Sequence, residues 1–117
     1  MKIAIPVISN NPETQIDSRF GRALYFMVYD SDTDVTTFID NSNSVNASHG
    51  AGIGASNNLI NPTNQVNAVI TPSCGPKAFN VLQMAGVKVY QPAQGTIKEN
   101  IKLLLEGKLA QLTGPVY

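Results

Sequence analysis

One cysteine and one histidine are all that this chain of 117 residues has of the commonest soft metal ligands. A monomer built from it has no means of assembling a Cys-rich iron–sulfur site or a structural zinc site from its own side chains. A single cysteine also forms no internal disulfide, which is consistent with a reducing compartment, and a cytoplasmic location is the expectation. Charge is equally scarce. Charged residues make up 14% of the chain, with eight Lys+Arg against eight Asp+Glu, so the basic field that drives phosphate-backbone binding is missing and no nucleic-acid partner is expected. No apolar run approaches the length of a membrane-spanning helix. The opening Met1-Lys2-Ile3-Ala4-Ile5-Pro6 has no signal-peptide layout. The expectation is one domain over residues 1–117, away from membranes, a monomer or a weak homodimer.

What is present centres on Val69-Ile70-Thr71-Pro72-Ser73-Cys74-Gly75-Pro76-Lys77-Ala78. A β-branched run stops at Thr71, and a turn carries the cysteine straight into a helix start. Pro76 suits the first helical position, where its missing N–H has no intrahelical partner to lose. Such a start offers unpaired amides and partial positive charge, to which Lys77 adds a full one.

Around it the pattern predicts a strand over Lys2–Ile8, with Pro6 interrupting its pairing to one neighbour. A polar loop over Ser9–Arg22 follows, long enough to suggest function. Strands over Ala23–Tyr29 and Val35–Ile39 flank the turn residues Asp30 to Asp34 and form a hairpin. After the Asn-rich loop Asp40–Ser48, His49-Gly50-Ala51-Gly52-Ile53-Gly54 opens a helix running to about Ile60. Val66–Thr71 is the fourth strand, Pro76–Ala85 the second helix stopped by Gly86, and Val87–Tyr90 a short fifth strand. Thr96-Ile97-Lys98-Glu99 has the capping-box pattern of a last helix with apolar face Ile97, Ile101, Leu104 and Leu105, ending at Gly107. The last ten residues carry no clear pattern. The order β-β-β-α-β-α-β-α implies an α/β sandwich with one mixed five-stranded sheet, whose ligand site belongs at the carboxyl ends of strands.

Several residues admit two readings. Arg19 and Arg22 either clamp an anion with their planar donor forks, or pair with Asp17 while Phe20 anchors the loop. His49 beside Gly50 and Gly52 is either a metal or sulfide contact at a backbone nest, or part of a helix packed tightly on the sheet. Cys74 is either a thiolate favoured by the helix start or inert packing. The glycines are neither a Walker A loop nor a dinucleotide fingerprint. A Cys74–His49 catalytic pair lacks an orienting group, and the aspartates of the hairpin turn are explained by turn formation.

Taken in order, Asp17-Ser18-Arg19-Phe20-Gly21-Arg22, His49-Gly50-Ala51-Gly52, Gly75-Pro76-Lys77-Ala78, Gly95-Thr96 and Glu106-Gly107-Lys108-Leu109 resemble the dinitrogenase iron–molybdenum cofactor-binding family of nitrogenase accessory-factor domains and orange-protein relatives. The resemblance covers nearly the whole chain. It implies a ribonuclease-H-like, three-layer α/β/α sandwich with sheet order 3-2-1-4-5 and strand two antiparallel. It also implies non-catalytic binding or carrying of an anionic metal–sulfur cluster, molybdenum-containing with iron or copper, for a cluster-assembly or cluster-accepting protein. A prebuilt cluster brings its own sulfide and so answers the shortage of ligands. Carried over, Arg19, Arg22, His49, Gly50, Gly52, Gly75 and Lys77 match the family pattern, with His49 and Cys74 as candidate metal ligands. Cys74 departs from the small residue commoner before that Gly-Pro. The rival readings are a module for a small anion or nucleotide, and an adaptor docking through a patch around Phe20 and Tyr25.

Overall fold

The sheet begins with β1 (Lys2–Val7), whose Ile3, Ala4, Ile5 and Val7 are fully buried because helices cover both of its faces. A computed structural model describes residues 1–11, 13–42 and 51–116. β2 (Tyr25–Asp30) and β3 (Val35–Asp40) follow as an antiparallel hairpin, and its turn ends at Asp34 with φ 59°, a conformation aspartate tolerates better than most residues. Then come α1 (Ala51–Ile60), β4 (Ala68–Ile70), α2 (Pro76–Met84), β5 (Lys88–Tyr90) and α3 (Ile97–Leu105).

The strand order is β3-β2-β1-β4-β5, with β4 and β5 parallel to β1 and β2 antiparallel. This is the sheet order that the family resemblance implies. Two cores lie on opposite faces. One joins Ala4, Phe26, Val28 and Val69 of the sheet to Ala55 and Leu59 of α1 and Ala78, Phe79 and Leu82 of α2. The other joins Ile3, Ile5, Met27 and Ile70 to Ile97 and Leu104 of α3. The result is three layers, helices–sheet–helix, among the described residues. No helix among them is long and apolar enough to cross a membrane.

Boundaries differ from expectation by a residue or two, and at β4 the strand is shorter at both ends. The expected Val66–Thr71 shrinks to three residues, with Gln65 at φ 50° bending the chain just before Val66. Asn67 and Thr71 still reach into the ladder, through Asn67 N–H to the Lys2 carbonyl (2.8 Å) and Thr71 N–H to that of Tyr90 (3.0 Å).

The helix ends obey the local code. Thr96 accepts from the Glu99 amide and Glu99 accepts from that of Thr96, both at 3.1 Å, completing the capping box. Gly86 (φ 77°) and Gly107 (φ 72°) leave α2 and α3 in the left-handed conformation. Thr96→Ala is expected to lower the unfolding free energy by about 1 kcal/mol, read by urea titration, and Thr96→Ser to restore most of it.

Candidate functional site: a cleft at the carboxyl edge of the sheet

The site follows from Pro6. Lacking an N–H, it gives β4 no ladder bond, and the β1–β4 register covers only Ile3 opposite Ala68 and Ala4 opposite Val69. On its other side β1 stays paired with β2 through Pro6 and Val7. The carbonyl of Pro6 instead accepts from the Asp17 amide at 2.8 Å, which brings the loop after β1 back to the sheet. The gap between parallel β1 and β4 is the place where strand order reverses and where open α/β sheets hold ligands.

Three segments close around this gap. Phe20 is buried edge-on against Phe26, with ring centroids 5.3 Å apart, and anchors the 17–22 loop. Gly21 next to it lies directly on α1: a Cβ there would stand 2.7 Å from the Gly52 nitrogen and 2.8 Å from the Ala51 carbonyl carbon. After β4, the Ser73 hydroxyl donates to the Ser18 carbonyl and so joins the second loop to the first. Gly75 caps α2 without any side-chain hydrogen bond, and Pro76 takes the first turn.

Together these build a cleft of about 500 Å³ whose wall includes Arg22, Gly52, Ser73, Gly75, Lys77 and Val116. Among the described residues of this wall there are an arginine and a lysine and no carboxylate, so their net charge is positive. The start of α2, with amides that no side chain caps, adds to that charge.

The candidate residues divide. Arg22, Gly52, Gly75 and Lys77 are brought together on the cleft. Arg19 is not on its wall. Its Nε and Nη2 hold the two Asp17 oxygens at 3.1 and 3.0 Å, and Asp17 also accepts from the Arg19 amide at 2.9 Å. Asp17 is 4% exposed and Arg19 64% exposed, so the pair fastens the loop from its outer side, and Asp17 raises the arginine's pKa further. Of the two arginines, the first is the loop's structural partner and the second faces the cleft. His49 and Gly50 lie outside the described residues.

Of the two readings left open for Cys74, its surroundings fit packing. It is 1% exposed inside the core shared by α1 and α2, and burial pushes its thiol up to about 11. Its amide donates to the Val116 carbonyl (2.7 Å) and its carbonyl accepts from the Val116 amide (2.9 Å), so the tail lies along its backbone. Desolvation outweighs the helix start here because the side chain is part of that core and is not on the cleft wall. The proposed Phe20–Tyr25 patch is not one surface either: Phe20 is buried in one core and Tyr25 packs against the other.

Sequence reasoning missed Asn41, a fully buried residue in what read as polar loop. Its Nδ2 donates to the Ala23 carbonyl (2.7 Å) and its Oδ1 accepts from Asn58 Nδ2 (2.7 Å), tying the cleft loop to α1. No hydropathy signal marks such a residue. Among the described residues no group of three or more His, Cys, Asp or Glu comes together to hold a bare metal ion. The donor set of the cleft is cationic and amidic, which suits an anion that carries its own ligands.

Comparison with known proteins agrees with this fold. The family model described as dinitrogenase iron-molybdenum cofactor matches residues 1–107. An uncharacterized Methanocaldococcus jannaschii protein is 36% identical over 112 residues, 93% of this chain and 89% of that one. The apo form of the orange protein from Desulfovibrio gigas superposes with a TM-score of 0.91 at 36% identity, covering 99% of this chain and 96% of the other. A Thermotoga protein of the DUF35 family gives 0.81 at 32% identity, over 99% and 97% of the two chains.

Proposed function

The chain belongs to the dinitrogenase iron-molybdenum cofactor family, and from that premise we propose that it binds and carries an anionic metal–sulfur cluster in the cleft between β1 and β4. The observation that carries the reading is the cleft wall itself, which pairs Arg22 and Lys77 with the uncapped start of α2 and holds no carboxylate among its described residues. A thiometallate brings its own sulfide ligands, so the protein supplies charge and hydrogen-bond donors and no coordinating cage. The role is carriage and not catalysis. No general base faces the cleft among its described lining residues, and handing over a cargo needs only that it be held reversibly. The cargo proposed is a molybdenum-containing cluster with iron or copper, delivered to or taken from a cluster-assembly protein.

The test is anaerobic reconstitution with tetrathiomolybdate, with and without copper(I), followed by desalting, visible absorption and metal analysis. The expected result is a coloured, stoichiometric complex. Replacing Arg22 and Lys77 together by alanine is expected to weaken retention at least tenfold while leaving the thermal midpoint within a few degrees. A correctly folded wild-type protein that keeps no metal, or a double variant that keeps as much as wild type, removes the proposal. Retention of inorganic phosphate without metal would favour the small-anion reading.

A further inference from the structure

The outer side of β3 offers a second binding feature, unrelated to the cleft. The Asn41 amide donates to the Leu24 carbonyl, so with the β2–β3 register the inward hydrogen bonds of β3 fall at Val35, Thr37 and Ile39. The N–H and C=O groups of Thr36, Phe38 and Asp40 point away from β2, and among the described residues no strand pairs with them. Proline and lysine, two of the usual guards of an edge, are missing from its Val-Thr-Thr-Phe-Ile-Asp sequence, and its one charged residue is Asp40 at the end. Val35 is 51% exposed.

On the face shared by Thr36 and Phe38, α3 alone covers the sheet. It leaves a groove of about 590 Å³ with an apolar floor that includes Met27, Tyr29, Ile101 and Leu105, Leu105 being 49% exposed. Lys98 and Lys102 of α3 stand on the same wall as Asp34 and Glu106, so the uncompensated negative charge of the edge lies at its Asp40 end. Edge and groove are therefore continuous. Charge then says what fits them. Four of the chain's eight acidic residues, Asp30, Asp32, Asp34 and Asp40, lie in this hairpin, and no lysine or arginine occurs between Arg22 and Lys77. Asp34 and Asp40 stand at the two ends of the exposed row. Asp34 accepts from the Tyr29 hydroxyl at 2.7 Å and raises that phenol's pKa, and Asp40 is held below the ordinary carboxylate range by its bonds to Ser42. Two copies of this chain paired antiparallel along β3 would set Asp34 of one opposite or diagonal to Asp40 of the other at both ends, which disfavours self-association.

We propose that β3 is a docking edge for an extended segment of a partner protein, added as a sixth strand. Apolar β-branched residues of that segment lie opposite Phe38 and Thr36, and lysine or arginine lies opposite Asp40. Main-chain bonds to Thr36, Phe38 and Asp40 hold the segment, and the alternate side chains that meet the groove and the Asp40 carboxylate select it. The carboxyl end of β3 leads into Asn41, which holds the Ala23 carbonyl of the cleft loop, so a strand added here ends beside that loop. The cleft plays no part in the docking, and failure of this proposal leaves the cargo reading standing.

The probe is a blocked peptide, Lys-Thr-Val-Thr-Val-Thr-Lys, titrated into labelled protein and followed by amide shifts and hydrogen exchange, beside Glu-Thr-Val-Thr-Val-Thr-Glu. The lysine peptide is expected to protect the Thr36, Phe38 and Asp40 amides and to bind at least tenfold more tightly than its glutamate counterpart. Thr36→Pro removes an outward N–H but no bond to β2, so it is expected to abolish binding while the amide shifts of β1 and β2 stay in place. Equal affinity for the two peptides, or no response at β3, overturns the proposal and leaves the aspartates as guards against aggregation. A homodimer by light scattering that Thr36→Pro dissociates overturns it in favour of a second copy.

Discussion

Gly21→Ala is expected to lower the unfolding free energy by about 3 kcal/mol and the thermal midpoint by roughly 12 °C. The added carbon would stand 2.7 Å from the Gly52 nitrogen and 2.9 Å from its α-carbon, and these are backbone atoms of a helix that have no rotamer to move out of the way. Either α1 retreats from the sheet or the 17–22 loop lifts from α1. Phe20 resists the second movement because it is clamped against Phe26, and Asn41 resists the first through Asn58. Gly52→Ala is the informative contrast. Its added carbon would meet only the Ala78 methyl at 3.1 Å, and alanine is the better helix former by about 1 kcal/mol, so a net change within about 1 kcal/mol is expected. Urea titration of both variants decides it. Equal destabilisation would mean that the loop does not rest on α1 as closely as these distances state. Because Arg22 follows directly, Gly21→Ala is also expected to displace that guanidinium and to reduce retention of tetrathiomolybdate in whatever fraction stays folded.

That contrast shows what the sequence makes legible. Gly21 and Gly52 look alike on the page, and both invite a reading in terms of ligand binding. Only the fold reveals that one abuts backbone and the other a methyl group. Features written in local chemistry were readable. The Pro76 helix start, the Thr96–Glu99 capping box, the hairpin over Asp30–Asp34 and the lapse of pairing at Pro6 each depend on neighbours in sequence. The family motifs then supplied the strand order, which periodicity alone leaves open. Features that depend on distant partners were not readable. Asn41 and Asn100 are fully buried amides, and Asn100 holds the 93–96 loop through the Ala93 amide and carbonyl at 2.7 and 3.1 Å. Hydropathy counts both as solvent-facing. The tail over 111–116 carries no pattern, yet Leu112 bonds to the Val89 carbonyl and Val116 to Cys74, each bond reaching more than twenty residues back along the chain. At the cleft, residue types pointed to the right loops but not to the division of labour between Arg19 and Arg22, which is set by the buried Asp17.

Cys74 carries the second large effect, and it appears at alkaline pH. Burial lifts the folded thiol to about 11 from an ordinary value of 9.0. Between those values the unfolded chain has released the thiol proton and the folded chain has kept it. The native state therefore binds more protons, and stability must fall as pH rises. The contribution is fully present below about pH 9 and is lost through about pH 11, a change of roughly 2–3 kcal/mol. Tyrosine and lysine side chains of an unfolded chain also titrate at alkaline pH, so the observable is the difference between wild type and Cys74→Ala. That difference is expected to be flat from pH 6 to pH 8.5 and then to swing in favour of the variant. A flat difference through pH 11 would mean that the thiol is solvated in the folded state. Labelling with a thiol-specific disulfide reagent at pH 8 provides a check by rate: the shift alone makes the thiolate roughly a hundredfold scarcer than in an unfolded chain, and closure by Val116 slows the reaction further. The same numbers bear on the cargo. For sulfur to become a ligand, the side chain must leave the core and the thiol must lose its proton, so cluster uptake through Cys74 would rise steeply with pH. Uptake held by Arg22, Lys77 and the start of α2 has no such dependence, and Cys74→Ser would then load as fully as wild type.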